Sequence, residues 1–290
     1  MIKVILSGGL GNQMFEYAAG RALSIHHNTE LSIDLYLLKK KTKATTRHYE
    51  LSVFDIKPPI RTSIINKIAV KVFGTIHSKR IKKSFLNKLG IFRDEKAQYH
   101  DTKFENLPKD TTLFGYFQNE NYFKKISEQL KVDFTFRTPL AGENDKIRHK
   151  IEQENSVSIH IRRGDYINTN TNLPILDLSY YKKAIEYITS EIDNPHFFIF
   201  SDGIEWVKIN LDLSNLNHEF IDWNKNECSY IDMQLMSLCK HNIIANSSFS
   251  WWAGWLNNNP DKMVIAPRKW YKGDTGIYPD GFLPKEWITL

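Results

Sequence analysis

Cysteine is nearly missing from this sequence, with only Cys228 and Cys239 in 290 residues. The two lie in one stretch with helical character and form no metal-ligand pattern, so they read as buried free thiols suited to a reducing compartment. Long apolar runs are missing too. Met1 to Leu6 is too short for a signal peptide or a membrane span and meets Ser7-Gly8-Gly9 at once, so the expectation is a cytoplasmic protein. No Asp-x-Asp occurs anywhere. There is also no broad charge excess. The net charge is +6, yet Lys57 to Lys96 holds eleven Lys and Arg against Asp94 and Glu95, a local +9 that leaves the remainder at −3. The three aromatic residues of that segment, Phe73, Phe85 and Phe92, fall on its apolar stripes rather than among the lysines, so nucleic-acid binding is not indicated.

What is present fits an ordinary soluble α/β protein of one large or two modest domains, at 41% hydrophobic and 25% charged. Aromatic residues are rich at 13%, which suits stacking on sugars or bases and equally suits a plain core.

Val157, Ile159 and Ile161 alternate with Ser158 and His160 as in a strand, and Arg162-Arg163-Gly164-Asp165 ends it abruptly. Two guanidiniums offer planar forks for an anion, Gly164 lets backbone approach a ligand, and Asp165 can pin one arginine and leave the other available. A structural Arg-Asp pair at a strand end is the plainer alternative.

At the N-terminus, Ile2 to Leu6 reads as a buried strand, then Ser7 to Gln13 as a glycine-rich loop opening a helix. Gly9-x-Gly11 lacks the third glycine of a dinucleotide fingerprint. Glu30 to Leu35 and Thr112 to Phe117 read as strands and Asn119 to Leu130 as a helix, with a linker around Arg137 to Gly142. Between them Ile60, Ile64, Ile68 and Val72, joined by Ile65 and Phe73, form one stripe at helical spacing, and Ile81, Phe85, Leu89 and Phe92 a second. These two basic helices either pack on the first domain with their charges in water or form a patch for a membrane surface or a polyanionic acceptor.

From about residue 150, strands and helices alternate, which predicts a parallel sheet covered by helices. Three polar clusters follow its strands: His160 to Asp165, Ser201-Asp202, and Asn246 to Ser250. Ligands of such sheets bind outside the carboxyl ends of the strands, so one site is the economical inference, with the features of a nucleoside-diphosphate pocket.

Taken together, Ser7-Gly-Gly-Leu-Gly-Asn-Gln-Met-Phe15, His160-x-Arg162-Arg163-Gly164-Asp165, Phe200-Ser201-Asp202 and Asn246-Ser-Ser-Phe-Ser-Trp-Trp252 resemble the α-1,2-fucosyltransferases of glycosyltransferase family 11, from the first strand to about residue 256. The resemblance implies an α/β protein of GT-B type, two Rossmann-like domains with parallel sheets facing across a cleft. These would be residues 1–140 on the acceptor side, with the basic insertion at about 57–96, and residues 141–290 binding GDP-fucose. It implies transfer to the 2-hydroxyl of a galactose-terminated glycan, which for bacterial relatives can be lipid-linked and would bring the enzyme to the inner membrane face.

Carried over by motif, Arg162 holds the β-phosphate with Arg163 beside it, and His160 reaches guanine. Ser247, Ser248 and Phe249 meet the phosphates with Asn246, Ser201 and Asp202 nearby, Asp232 takes the guanine N–H groups, and Gly11, Asn12 and Gln13 touch donor or acceptor. The family often has a second acid after Ser-Asp, where this chain has Gly203. Departure of GDP places negative charge on the β-phosphate. With no Asp-x-Asp to hold a metal, Arg162 and the helix starting near Ser248 are expected to stabilise it without a cofactor. Inversion at the sugar calls for a base or a very dissociative transition state, and Asp165, Glu16 and Asp177 stand as base candidates. Trp251, Trp252 and Trp255 read as packing. Two other readings stay open, a transferase of the same architecture using another nucleotide sugar and a non-catalytic nucleotide- or glycan-binding module.

Overall fold

Within both sheets every strand pair is parallel, the arrangement that β-strand, helix, β-strand crossovers impose on chains whose strands are buried on both faces. The computed structural model describes residues 1–38, 47–75, 78–164 and 172–290. They fall into two units, Met1–Arg137 with Tyr278–Lys285, and Thr138–Ile277 with Glu286–Leu290.

The first unit holds β1 (Ile2–Ile5), β2 (Leu31–Asp34), β3 (Ile91–Arg93) and β4 (Thr112–Phe114) in the order β2-β1-β4-β3. Helix α1 (Leu10–His26) buries Met14, Phe15, Ala18, Ala19 and Leu23, the helical spacing visible in the sequence. Helices α2 (Ile64–Thr75) and α3 (Lys79–Lys88) precede β3, and α4 (Ser127–Asp133) follows β4. The stripe expected to run from Ile81 to Phe92 ends early. Gly90, at φ +68°, adopts the left-handed conformation that stops a helix, and Ile91-Phe92-Arg93 becomes the edge strand β3. The helix expected over Asn119 to Leu130 is also broken, into turns at Glu120–Tyr122 and Lys124–Ile126 before α4, because the Asn119 side chain accepts from Asn121 N at 2.9 Å and fixes a tight turn.

The second unit carries β5 (Ser156–Ile161), β6 (His196–Ser201), β7 (Asn217–Ile221), β8 (His241–Ile243), β9 (Val264–Ala266) and β10 (Ile288–Thr289), in the order β10-β9-β8-β5-β6-β7. Its helices are α5 (Glu143–Gln153), α6 (Leu178–Glu191), α7 (Ile204–Asn210), α8 (Tyr230–Leu238) and α9 (Ser248–Leu256). Val157, Ile159, Phe197, Ile199 and Ile243 form the sheet side of one core cluster, and Ala184, Ile188 and Val207 its helix side. Trp251, Trp252 and Trp255 are buried in α9, with Trp251 stacked on Trp255 and Trp252 edge-on to both, which bears out their packing role. Cys239 is buried but Cys228 is exposed, since Cys228 sits in a turn ahead of α8 rather than on its inner face.

The tail was expected to stay with the second half. Instead residues 278–285 rejoin the first unit, where Asn119 Nδ2 donates to Asp280 O at 2.8 Å and Glu120 N donates to Gly281 O at 2.7 Å. Residues beyond them return to the second sheet as β10.

Candidate functional site

In the second sheet the chain leaves β5 for β6 and β7 on one side, then places β8, β9 and β10 on the other, so the order reverses between β5 and β8. Such a reversal opens a crevice at the carboxyl ends of the strands. His160 lies on β5 beside Phe200, and its ring stands 5.7 Å from that of Phe249 in the first turn of α9, across the reversal. The imidazole is buried, and among the described residues its Nδ1 has no hydrogen-bond partner. Burial and, next, the neighbouring Arg162 push His160 down to about 3, against the opposing pull of Asp202, so the ring is neutral at pH 7.

Immediately after β5 one carboxylate organises the loop. Asp202 Oδ2 pairs with Arg162 Nη1 at 3.0 Å, and Asp202 Oδ1 accepts from Arg163 N at 2.7 Å. A Cβ at residue 164 would come within 2.8 Å of Asp202 Oδ2, so glycine is what allows the carboxylate this close. The Arg163 guanidinium lies 3.4 Å from the centre of the Trp206 ring in α7, a cation–π stack that fixes it there. The two arginines are thus separated in role. Asp202 orients Arg162, the task expected of Asp165, and is itself turned toward cations rather than toward a phosphate. Asp165 lies outside the described residues.

The helix that ends the crevice is capped. Ser247 Oγ accepts from Phe249 N at 3.3 Å, and Ser248 and Phe249, both partly exposed, form the first turn of α9, where backbone N–H groups and the helix dipole favour an anion. Asn246 Nδ2 donates to Pro174 O and Trp270 O, at 2.9 and 3.0 Å, bracing the loop before α9. Ser201 Oγ accepts from Gly203 N at 3.0 Å and closes the turn after β6.

The Asp232 carboxylate, in the first turn of α8, accepts from Asn224 Nδ2 at 2.9 Å. Burial raises it to about 7, with only that bond opposing. Asn224 and Asn144 exchange amide hydrogen bonds at 2.9 Å, and Trp223 Nε1 donates to Asn144 Oδ1, so a neutral polar frame surrounds the carboxyl. Asp177 caps α6, accepting from Ser179 N at 2.8 Å, and hydrogen bonds from Ser179 hold it below the usual carboxylate range. This exposed, acidic cap is a poor base, so that expectation is corrected.

The first unit has its own reversal, between β1 and β4. Ile5 pairs with Phe114, so Ser7 and Tyr116 follow at matching levels, and burial raises the Tyr116 phenol against an opposing pull from the Ser7 hydroxyl. Glu16, 0% exposed, accepts from Ser7 N at 2.8 Å and from Ser7 Oγ at 2.6 Å. Burial pushes its carboxyl well above the usual range against those two bonds. Glu16 therefore cannot itself touch a substrate, a correction to its place among the direct bases. Gln13 is likewise turned inward, donating to Gly8 O at 2.9 Å and His48 O at 2.7 Å while accepting from Glu50 N at 2.9 Å. It braces the loop and presents no amide to a ligand. Gly11 is buried in the first turn of α1, and Asn12 accepts from Gln118 Nε2 at 2.9 Å. Glu50 Oε2 accepts from Leu10 N at 3.0 Å, a carboxylate at the helix start.

Sequence reasoning missed Trp206, Asn224, Asn144, Glu50 and Tyr116. Only Trp206 left a local sign, as an aromatic residue one turn past the Ser201-Asp202 strand end.

A family model described as "Glycosyl transferase family 11" matches residues 1–290. The "Alpha-1,2-colitosyltransferase" of Escherichia coli is 36% identical over 98% of this chain and 97% of its own. The "O-antigen biosynthesis glycosyltransferase WbnK" of Escherichia coli is 34% identical over 93% and 94%. Among solved structures, the NodZ alpha-1,6-fucosyltransferase soaked with GDP-fucose superposes with a TM-score of 0.51 at 12% identity, covering 88% of this chain and 92% of that one, a likeness of fold. With its whole length matched and its strand-end motifs assembled in one crevice, the chain belongs to glycosyl transferase family 11.

Proposed function

We propose that this protein transfers L-fucose from GDP-β-L-fucose to the 2-hydroxyl of a terminal galactose, with inversion at the sugar and without a metal, within a GT-B architecture. The reading rests above all on the β5/β8 crevice, where a carboxylate-oriented Arg162 shares the strand ends with the capped start of α9. As GDP leaves, negative charge grows on the β-phosphate, and these fixed donors stabilise it with little reorganisation. Neutral His160 keeps a ring nitrogen for the nucleotide, and Asp232, when ionised, offers paired acceptors for adjacent guanine donors.

The acceptor hydroxyl must lose a proton. In the relay proposed here, Ser7 Oγ donates to Glu16 and its oxygen accepts in turn from Tyr116, whose exposed phenol is the outer end of the chain. In the proposed step the acceptor proton passes to Tyr116 oxygen, the Tyr116 proton to Ser7 and the Ser7 proton to Glu16. The acceptor oxygen bonds the anomeric carbon as the bond to GDP breaks, leaving its electron pair on the β-phosphate. The chain requires Glu16 to be ionised before turnover.

A second reading keeps the chemistry and changes the sugar, because a relative matched along nearly the whole chain is a colitosyltransferase. Parallel assays with GDP-fucose and GDP-linked colitose on a panel of galactosides separate the two. Transfer of fucose with α-1,2 linkage supports the first reading, preference for colitose supports the second, and GDP release without a glycoside product removes both.

A further inference from the structure

Helix α2 is held to the first unit by its start and one inner face. Asp34 Oδ2, at the end of β2, accepts from Ser63 N at 3.0 Å and from Asn66 Nδ2 at 2.9 Å, while Ala69 is buried with Leu86 and Ile91, and Phe73 packs against them. Residues 66, 69, 70 and 73 account for that face. The opposite face is apolar as well. Ile64, Ile65 and Ile68 are 72%, 55% and 54% exposed, and Ile60 just before the helix and Ile81 on α3 are also in water. Neighbours at i and i+4 adjoin on a helix, so Ile64 and Ile68 make a continuous apolar strip. Of the two readings of these helices, packing on the first domain thus accounts for one face of α2 and leaves the isoleucines at 64, 65 and 68 outside it.

Lys67 and Lys71 border the strip, and Arg61, Arg80 and Lys83 are exposed on the same segment. No Asp or Glu occurs between Lys57 and Arg93. Apolar side chains standing in water beside an unbroken run of cations match one chemistry, an anionic surface with an apolar interior beneath it. No helix among the described residues is long and apolar enough to cross a membrane, so such a helix lies along the surface.

We propose that the outer face of α2, with the start of α3, docks this enzyme on anionic lipid bilayers, its isoleucines entering the headgroup boundary and its lysines and arginines pairing with lipid phosphates. The surface belongs to the first unit and uses none of the residues of the β5/β8 crevice, and the proposal does not depend on which sugar is transferred.

The test is co-sedimentation of the full chain with phosphatidylcholine vesicles, with and without phosphatidylglycerol, at low and high salt. The parent should bind only the anionic vesicles, and high salt should weaken it. Lys67→Glu with Lys71→Glu should lower the partition coefficient at least about tenfold, since each cation near an anionic leaflet contributes about fivefold. Ile64→Ser with Ile68→Ser should lower it by a similar factor with the net charge unchanged, and both variants should keep the parent's melting temperature and GDP affinity. Absence of parent binding to anionic vesicles would overturn the proposal, as would equal partition of parent and isoleucine variant. A salt-insensitive dimer in sedimentation velocity, lost in the isoleucine variant, would assign the strip to a second copy of the chain instead.

Discussion

The two units solve one topological problem with opposite chemistry. Each places a parallel sheet so that strand order reverses beside its first strand, and each sets polar side chains at that reversal. In the second unit the reversal carries cationic donors, Arg162 ahead of a helix N-terminus, with Asp202 behind them as a fixed counter-charge. In the first it carries a carboxyl sealed from water and held by the backbone N–H and hydroxyl of Ser7. On the proposed reading, the arginine and helix start of the second unit meet negative charge on a leaving phosphate, and the buried carboxyl of the first unit takes up a proton.

The sharpest way to break this contrast is at Arg162. Arg162→Lys keeps the charge but loses the planar fork, so kcat should fall by about 10²–10³ while the melting temperature is unchanged. Activity within a few-fold of the parent would remove the arginine from transition-state stabilisation.

Glu16→Gln tests the other side. Its amide can accept from Ser7 N and donate to Ser7 Oγ, preserving the fold while removing the proton sink. A loss of about 10² in kcat is expected, with GDP affinity within twofold. Tyr116→Phe should lower kcat comparably, and the double variant should be little worse than either alone, because a relay fails as a unit. Additive losses would show two independent structural effects.

Asp232→Asn should weaken GDP binding by about 5- to 150-fold, the equivalent of about 1–3 kcal/mol for leaving buried donors unpaired. The parent's affinity should fall as pH drops through about 7, because the proton must leave Asp232 before guanine binds, and the variant should lack that dependence. Stability moves the opposite way. The folded value is raised above the ordinary 3.8, so the Asp232 contribution is fully present below that value and lost as pH rises through about 7. Calorimetric titrations with GDP across that window check the first claim and thermal melts check the second. The smallest effect is none at all. EDTA should leave the transfer rate unchanged if Arg162 and α9 supply the charge, and an absolute need for a divalent ion would refute that account.

Strand ends and the glycine turns after them were legible because alternation, abrupt polarity and glycine are local signals. The family motifs located His160, Arg162 and the start of α9 for the same reason. What the sequence hid was pairing at a distance. Asp202 is about forty residues from the arginine it orients, and Tyr116 is farther still from Ser7, so register between strands, rather than pattern along one, brings them together. Gln13 looked like a ligand contact beside the glycine loop, yet it faces His48 and Glu50, whose approach no local pattern announces. The stripe from Ile81 to Phe92 misled because a buried edge strand after Gly90 continues an apolar spacing that a helix would also give.

The return of residues 278–285 to the first unit, followed by β10 in the second, also fixes how the protein can be divided. The chain passes between its units at Arg137, at Tyr278 and again at Glu286, so exchanging the second unit with that of a relative takes three junctions where a simple tandem would take one. A cut after Ile277 would strip Asp280 and Gly281 from Asn119 and Glu120 in one half and the edge strand from β9 in the other, damaging two cores with a single truncation.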